Sequence, residues 1–305
     1  MRYGPGSACS SDCNSAPVIA AAIDVGTNTT RLLVARVESG QIAALRTDRV
    51  MTALGTGVEQ TGRITNAGLD LAEQTITTMV DDARALGAER IAIACTAVGR
   101  DATNTAELLA RIATATGIAA HVLSGQREAE LTFAGLVATG ASDPLVAADL
   151  GGGSLEVMGG IAGRLAWATS LPLGVRKLTE RYGITDPPAA EHREEITAFV
   201  VGAIAPIAAS HAAHAILVTG GSATALAHVT GTTHLDAAAL ARAAELLSEH
   251  CADELAEPTG LEPARLRMCF AGVAVLDGLR RAFGLEALDV STAGLREGLI
   301  LETVR

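Results

Sequence analysis

The feature that most limits how this chain can fold is a pattern that occurs twice. A run of small and branched apolar residues ends in an aspartate, a glycine-bearing turn follows, and a second strand-like run leaves. The first copy is Val18–Val25 running into Asp24-Val25-Gly26-Thr27-Asn28-Thr29-Thr30-Arg31. The second is Leu145–Leu150 running into Asp149-Leu150-Gly151-Gly152-Gly153-Ser154-Leu155-Glu156. Glycine lets such a turn close tightly, so that its amides converge on an anion while Thr, Asn and Ser side chains add donors. An aspartate beside an anion cradle makes sense as a group that holds a cation or a metal-bound water. A strand rather than a helix follows each turn, which argues against a dinucleotide-binding fingerprint.

Around these two words the pattern is α/β. In the first half, strands at 32–38 and 42–48 flank the turn Ser39-Gly40-Gln41. A helix over 66–86, capped by Asn66, a strand at 90–96, a helix over 104–116, a strand at 119–123 and a helix over 126–139 follow. The second half restarts with strands at 155–159 and 164–171, a helix over 188–211, a strand at 215–219 and helices over 223–229, 236–247 and 265–283. The repeated order predicts two duplicated domains of mixed sheet flanked by helices, over 18–141 and 142–287, with Gly140-Ala141-Ser142-Asp143-Pro144 as the hinge. Residues 1–17 read as a disordered leader, and the cleft between the domains is the favoured ligand site.

Two further positions stand out. Glu128 opens the helix after Ser124-Gly125, and a carboxylate in a phosphate pocket is the natural group to position an attacking water. Glu130 lies about 200° round the same helix, so the two cannot face one site; spacing alone leaves either of them as a solvated carboxylate of a helix N-terminus. Gly220, Gly221 and Ser222 form a third turn, between a strand and a helix, which suits either a phosphate or an ordinary structural bend.

The bulk composition excludes several partners. Of 305 residues, 23 are Lys or Arg and 34 Asp or Glu, giving a formal charge of -11, and only 2% are aromatic. Neither the cationic footprint nor the stacking platforms of a nucleic-acid binder are present. No apolar stretch of about 18 residues reads as a membrane span, so a reducing cytoplasm is the expected compartment. A polyanionic ligand remains compatible with this charge if backbone amides and a divalent cation neutralise it locally. The Cys9/Cys13 pair lacks the further Cys or His that would complete a metal site, and Cys95, Cys251 and Cys269 sit in apolar contexts. The seven histidines show no ligand spacing.

Together these words resemble the exopolyphosphatase and guanosine pentaphosphate phosphatase (Ppx/GppA) family, within the superfamily of actin-like ATPase, ribonuclease H-like domains that includes sugar kinases. The resemblance rests on DVGTNTTRLLV at 24–34, LGTGVEQTGRIT at 54–65, TAVGRDATN at 96–104, LSGQREAELTFAGL at 123–136 and DLGGGSLEV at 149–157. LPLGVRKLTERYG at 171–183, TGGSATALA at 219–227 and STAGLREGLI at 291–300 extend it, so it covers the chain from about residue 18 onward.

The resemblance implies Glu128 as general base and Arg100 as the arginine that contacts the phosphate chain. It implies phosphate binding by Gly26, Thr27, Asn28, Thr29 and Arg31, by Gly151, Gly152, Gly153 and Ser154, and by Gly220, Gly221 and Ser222. Mg²⁺, with Mn²⁺ as a substitute, would be held by Asp149, Glu156 and Asp24. The implied reaction is hydrolysis of the terminal phosphoanhydride of inorganic polyphosphate, and by extension of guanosine pentaphosphate.

The segment 288–305 would pack back on the first domain, and a homodimer is allowed for with no face assigned. Two departures from the family pattern carry expectations. Ala53 stands where Arg is common, removing a cation, and Gly99 stands where a bulkier residue precedes the arginine, loosening Arg100. The long members' extra helical module would follow the Arg296-Glu297-Gly298 word, so short chains are the expected substrate. Two alternatives use the same cleft: an ATP-dependent small-molecule kinase, and a non-catalytic sensor of polyphosphate or alarmone nucleotides.

Overall fold

A computed structural model describes residues 16–305. The expected leader, with Cys9 and Cys13, lies outside them apart from Ala16 and Pro17. The first half begins with β1 (Val18–Val25), β2 (Thr29–Glu38) and β3 (Gln41–Met51), the short α1 (Val58–Thr61) and α2 (Asn66–Ala85). It continues with β4 (Arg90–Cys95), α3 (Ala97–Asp101), α4 (Thr105–Thr116), β5 (Ala120–Val122) and α5 (Gly125–Ala138). The second half begins with β6 (Leu145–Leu150), β7 (Leu155–Ile161), β8 (Arg164–Leu171), α6 (Val175–Arg181), α7 (Glu191–Ser210) and β9 (Leu217–Thr219). It closes with α8 (Gly221–Thr230), β10 (His234–Asp236), α9 (Ala237–Glu249), α10 (Ala252–Thr259), α11 (Pro263–Ala282), β11 (Ala287–Val290) and α12 (Leu295–Val304).

The strands make two mixed sheets, β3-β2-β1-β4-β5 and β10-β11-β9-β6-β7-β8. In each, an antiparallel three-stranded meander is extended by parallel strands beside its first member. Alternation assigns each sheet two apolar faces. One face of the first sheet, with Ala21, Ile23, Leu32 and Val34, packs on α2 and α4. One face of the second, with Ala148, Leu150 and Val157, packs on α7, α8, α9 and α11. Because aromatics are scarce, Ala, Val, Leu and Ile fill both cores.

The remaining faces are covered by helices that cross over. Ala129, Phe133 and Leu136 of α5 pack on Leu145, Ala147 and Met158 of the second sheet, although α5 precedes the hinge in sequence. Leu295, Leu299 and Ile300 of α12 pack on Ala20, Ala22, Leu33 and Ala94 of the first. By packing, α5 lies between the halves on either side of the boundary drawn at 141, with Ala129, Phe133 and Leu136 on the second sheet and Leu131 in the cluster of the first. Of the C-terminal segment, β11 pairs with β9 and β10 in the second sheet, and the crossing to the first begins at α12.

The two crossing helices meet through glycines. A Cβ at Gly298 would fall inside contact distance of the Leu131 carbonyl, and one at Gly135 inside that of the Gly294 carbonyl. Gly298→Ala overpacks this seam, so it is expected to lower stability by about 1–3 kcal/mol, read as a lower urea midpoint with an unchanged slope.

Local corrections to the sequence reading have simple causes. Thr65, not Asn66, caps α2, its hydroxyl accepting from the Gly68 amide at 3.1 Å. The elements α1, α3, α6, β10, α10, β11 and α12 had no counterpart in it, most being too short for periodicity to register. Among the described residues no helix is long and apolar enough to cross a membrane.

Candidate active site

The two glycine turns are built alike. The Gly26 amide donates to the Thr29 carbonyl at 3.1 Å, and the Gly151 amide to the Ser154 carbonyl at 3.0 Å. Each turn thereby leaves amides pointing outward: those of Thr27, Asn28, Gly152 and Gly153 donate to no acceptor among the described residues. The cradles also touch. A Cβ at Gly153 would lie 2.7 Å from the Thr27 hydroxyl, and one at Gly152 would lie 3.0 Å from the Asn28 amide group. Only glycine lets them approach so closely.

Cross-strand register then places side chains in rows, because directly opposed residues share a face. In the first sheet Asp24 lies opposite Arg31, and Arg31 opposite Arg49. In the second, Asp149 lies opposite Glu156, and Glu156 opposite Ser170. The duplicated frame thus carries a row of one acid and two cations in one half, and a row of two acids and a hydroxyl in the other. Each row lies on the face covered by a crossing helix, α12 for the first sheet and α5 for the second.

The first turn of α5 supplies Glu128. Ser124 caps the helix by accepting from the Arg127 amide at 3.1 Å, and Glu128 is turned inward to 7% exposure. Glu130 instead bonds Arg127 at 2.7 Å near the surface. Arg100 holds Glu128: its Nη1 donates to Glu128 Oε2 at 2.7 Å and to the Leu123 carbonyl at 2.8 Å, while Nη2 reaches Ser154 Oγ at 3.4 Å. Glu156 lies 3.8 Å from the same guanidinium and accepts from Ser170 Oγ at 2.7 Å. Burial, with the Glu156 charge beside it, pushes Glu128 well above the usual carboxylate range against the pull of Arg100. Burial likewise raises Glu156, against hydrogen bonds from Ser170 and Ser154. Gly99 is fitted tightly, since a Cβ there would meet Cys95 and Val122 at 3.0 and 3.2 Å, so Arg100 is not loosened.

Asp24 and Asp149 face the cleft from the ends of β1 and β6. Burial raises both, and Asp149 reaches about 7 with help from the Glu156 charge. Asp24 Oδ1 is enclosed with no hydrogen-bond partner, and Asp149 receives only Thr132 Oγ1 at 3.3 Å. Such oxygens suit a hard divalent cation that takes one or two carboxylates and completes its shell with water and phosphate. Among the described residues, no three acidic, His or Cys side chains converge on one ion. The three-carboxylate set expected from sequence therefore divides: Asp24 and Asp149 face the cleft, whereas Glu156 is turned to Ser170 and Arg100.

Every other phosphate-side residue expected from sequence lines one cleft: Gly26, Thr27, Asn28, Thr29, Arg31, the 151–154 turn and Gly220–Ser222, together with Glu128, Asp24 and Asp149. Arg100 and Glu156 do not line it; they stand behind Glu128 and Ser154. Gly220, at φ 101°, lets the third turn pass close to Asp149. Arg49, Arg265 and Arg296 also line the cleft and were missed. So was Arg176, whose guanidinium reaches Asn28 Oδ1 at 3.0 Å and Thr56 Oγ1 at 2.7 Å. It brings a cation from the second half to the loop where Ala53 lacks one. Glu297, in the first turn of α12, mirrors Glu128 but is occupied in accepting from the Gly294 amide at 2.8 Å.

Comparison with known proteins gives the family and the fold. Residues 33–305 match the Ppx/GppA phosphatase family. Exopolyphosphatase 1 of Mycobacterium tuberculosis is 30% identical over 297 residues, covering 92% of this chain and 86% of that protein. Exopolyphosphatase 2 of the same organism is 37% identical over 187 residues, 56% of this chain and 57% of that protein. A Ppx/GppA enzyme of Aquifex aeolicus superposes with a TM-score of 0.79 at 24% identity, covering 94% of this chain and 100% of its own. An exopolyphosphatase of Cytophaga hutchinsonii superposes with a TM-score of 0.84 at 24% identity, covering 94% and 99%. These likenesses establish the actin-like, duplicated ribonuclease H-like fold.

Proposed function

This chain belongs to the Ppx/GppA phosphatase family, and from that premise we propose that it is an exopolyphosphatase, releasing phosphate from the ends of inorganic polyphosphate. The observation that carries the reading is Glu128, a buried carboxylate held by Arg100 at the edge of a cleft whose two cradles leave their amides unpaired. A base is most effective when its pKa lies near the working pH, and burial lifts Glu128 in that direction.

In this reading the terminal phosphoryl group lies between the amides of Thr27, Asn28, Gly152 and Gly153. These, with Arg31, stabilise the charge that spreads over its equatorial oxygens. Glu128 orients a water in line with the scissile bond and takes its proton; Arg100 favours the ionised form of the carboxyl against its burial and keeps it aimed. The departing oxygen stays with the shortened chain. Asp24 and Asp149 would hold Mg²⁺, or Mn²⁺ in its place, which supplies charge neutralisation at the bridging phosphates. The same attack extends to the 5′ terminal phosphate of guanosine pentaphosphate, with the 220–222 turn beside the nucleotide.

Short chains are the favoured substrate in this proposal. The cationic groups are gathered inside the cleft while the protein as a whole carries -11, so a long polyanionic tail outside it meets a repulsive field. Equal rates on about 700-mers and on short oligomers, at equal concentration of chain ends, would remove this part. A cytoplasmic location agrees with the free thiols of Cys95, Cys251 and Cys269.

The raised carboxyl of Asp149 gives a measurable pH effect. Asp149 keeps its proton up to about 7 in the fold, whereas in the unfolded chain it loses it near about 3.9. The unliganded fold therefore loses stability as pH rises between these values, and Mg²⁺ should restore it. Below about pH 7 the proton competes with the cation, so apparent Mg²⁺ affinity should fall by about tenfold per pH unit. Thermal-shift titrations with Mg²⁺ at several pH values check both, and Asp149→Asn should reduce the pH dependence to the part left by Asp24, Glu128 and Glu156, whose carboxyls burial also raises.

A further inference from the structure

Each cradle is braced from behind by a strap that follows the third strand of its meander. After β3 the strap is Ala53-Leu54-Gly55, and after β8 it is Pro172-Leu173-Gly174, each with its leucine buried. The Gly55 amide donates to the Thr27 carbonyl at 2.8 Å, and the Ala53 amide to the Asn28 carbonyl at 2.8 Å. In the second half the Val175 and Arg176 amides donate to the Gly151 and Gly152 carbonyls at 3.1 and 2.9 Å. A trans peptide points its carbonyl and its N–H in opposite directions, so drawing these carbonyls backward turns the amides of Asn28, Gly152 and Gly153 toward the cleft. The fit is close: a Cβ at Gly55 would overlap the Thr27 methyl, and one at Gly174 the Gly152 carbonyl.

Arg176 joins the two straps. Its amide braces the second cradle, while its guanidinium reaches the first half, Nη1 donating to Asn28 Oδ1 at 3.0 Å and Nη2 to Thr56 Oγ1 at 2.7 Å. Thr56 in turn donates to the Ala53 carbonyl at 2.7 Å, holding a residue whose φ of 47° is uncommon outside glycine. Glu180, one turn on, lies 3.0 Å from Arg176 Nε. Beside it Lys177 pairs at 2.7 Å with Asp101, the neighbour of Arg100. Arg176 does not line the cleft; it borders a separate cavity with Gly55, Val58, Asp101 and Glu180. A guanidinium only donates, so it decides which end of the Asn28 amide faces it. Oδ1 is turned to Arg176, and Nδ2 is left as a donor beside Gly152, with no acceptor among the described residues.

We infer that Arg176 is a positioning residue that ties the two cradles together and presents Asn28 Nδ2 to the phosphoryl group between them. It acts through Asn28 and through the spacing of the straps, not on the substrate. The inference rests on the proposed function for the group that Asn28 meets, but not for the bracing itself. Its contribution grows as charge spreads over the phosphoryl oxygens, because a donor already aimed there costs no reorganisation during the reaction.

The test is a double-mutant cycle on the full chain, read as kcat/KM for tripolyphosphate with Mg²⁺. Arg176→Met keeps the apolar stem and loses every donor; it should lower kcat/KM at least about tenfold, the scale of one hydrogen bond to a charged group. Asn28→Ala should lower it likewise, and the double variant should be little worse than Asn28→Ala alone, because the two residues act in series. Arg176→Lys, with one nitrogen in place of the fork, should recover part of the loss, and it carries the same cycle if Arg176→Met does not fold. Losses that multiply in the double variant would make Arg176 a structural residue independent of Asn28 and overturn the inference, as would unchanged kcat/KM in Arg176→Met. The same variants carrying Glu128→Gln, titrated calorimetrically with tripolyphosphate, should show a smaller and equally non-additive loss of affinity. That result in a chain whose Glu128 form releases no phosphate would retain the brace and sink the exopolyphosphatase reading.

Discussion

Glu128→Gln is expected to lower phosphate release from polyphosphate by about 10²–10⁴-fold, the scale of a lost acid–base group, while polyphosphate binding persists. The substitution is nearly isosteric. It also removes one of two buried carboxylates that share Arg100, so the folded protein should lose no stability. That combination separates catalysis from collapse: a fall in rate with an unchanged or higher melting temperature identifies the base. Unaltered hydrolysis in Glu128→Gln would remove Glu128 from that role. A protein with neither form active, yet binding polyphosphate, would be the non-catalytic sensor.

Arg100→Gln should have the second largest effect, and of a different kind. Arg100 opposes the burial and the Glu156 charge that raise Glu128. Without it the carboxyl keeps its proton to higher pH, and a protonated carboxyl cannot accept one from water. The acidic limb of the kcat/KM profile should therefore move upward by at least about one unit, so that at neutral pH the rate falls tenfold or more. Raising the pH should recover part of the loss in Arg100→Gln and none in Glu128→Gln. If the profile of Arg100→Gln keeps its shape and falls only in height, Arg100 acts on the substrate directly and not through Glu128.

Much of this site was legible in the residues because its main parts are local. The turns at Gly26 and Gly151–Gly153 and the helix start at Ser124–Glu128 are contiguous words, and their chemistry follows from glycine, hydroxyl and carboxylate content. What the words could not carry is set by register and packing. Arg49 faces Arg31 only because a bulge moves the ladder by one residue, and nothing in the spacing of residues 31 and 49 announces that. Arg265 and Arg296 come from helices that converge on the cleft from the second half, and Arg176 crosses from α6 to the Asn28 loop.

Glu156, to which the resemblance gives a metal role, shows the same dependence on register: the pairing of β7 with β8 provides Ser170 as its partner and sets it behind Ser154. The crossing of α5 and α12 was partly hidden for a similar reason: α5 follows the first sheet in sequence but finds its apolar partners on the second. The packing glycines Gly135 and Gly298 mark that seam, yet glycine inside a helix has several meanings until its neighbour is known.

The account rests on attack at chain ends by water positioned at Glu128. The most direct measurement is to supply purified protein with homogeneous short polyphosphate and Mg²⁺, and to follow orthophosphate and residual chain length together. The account predicts orthophosphate as the sole small product, released as chains shorten one unit at a time, with the activity lost in Glu128→Gln. Cleavage into mid-length fragments, or release that survives in Glu128→Gln, would contradict it.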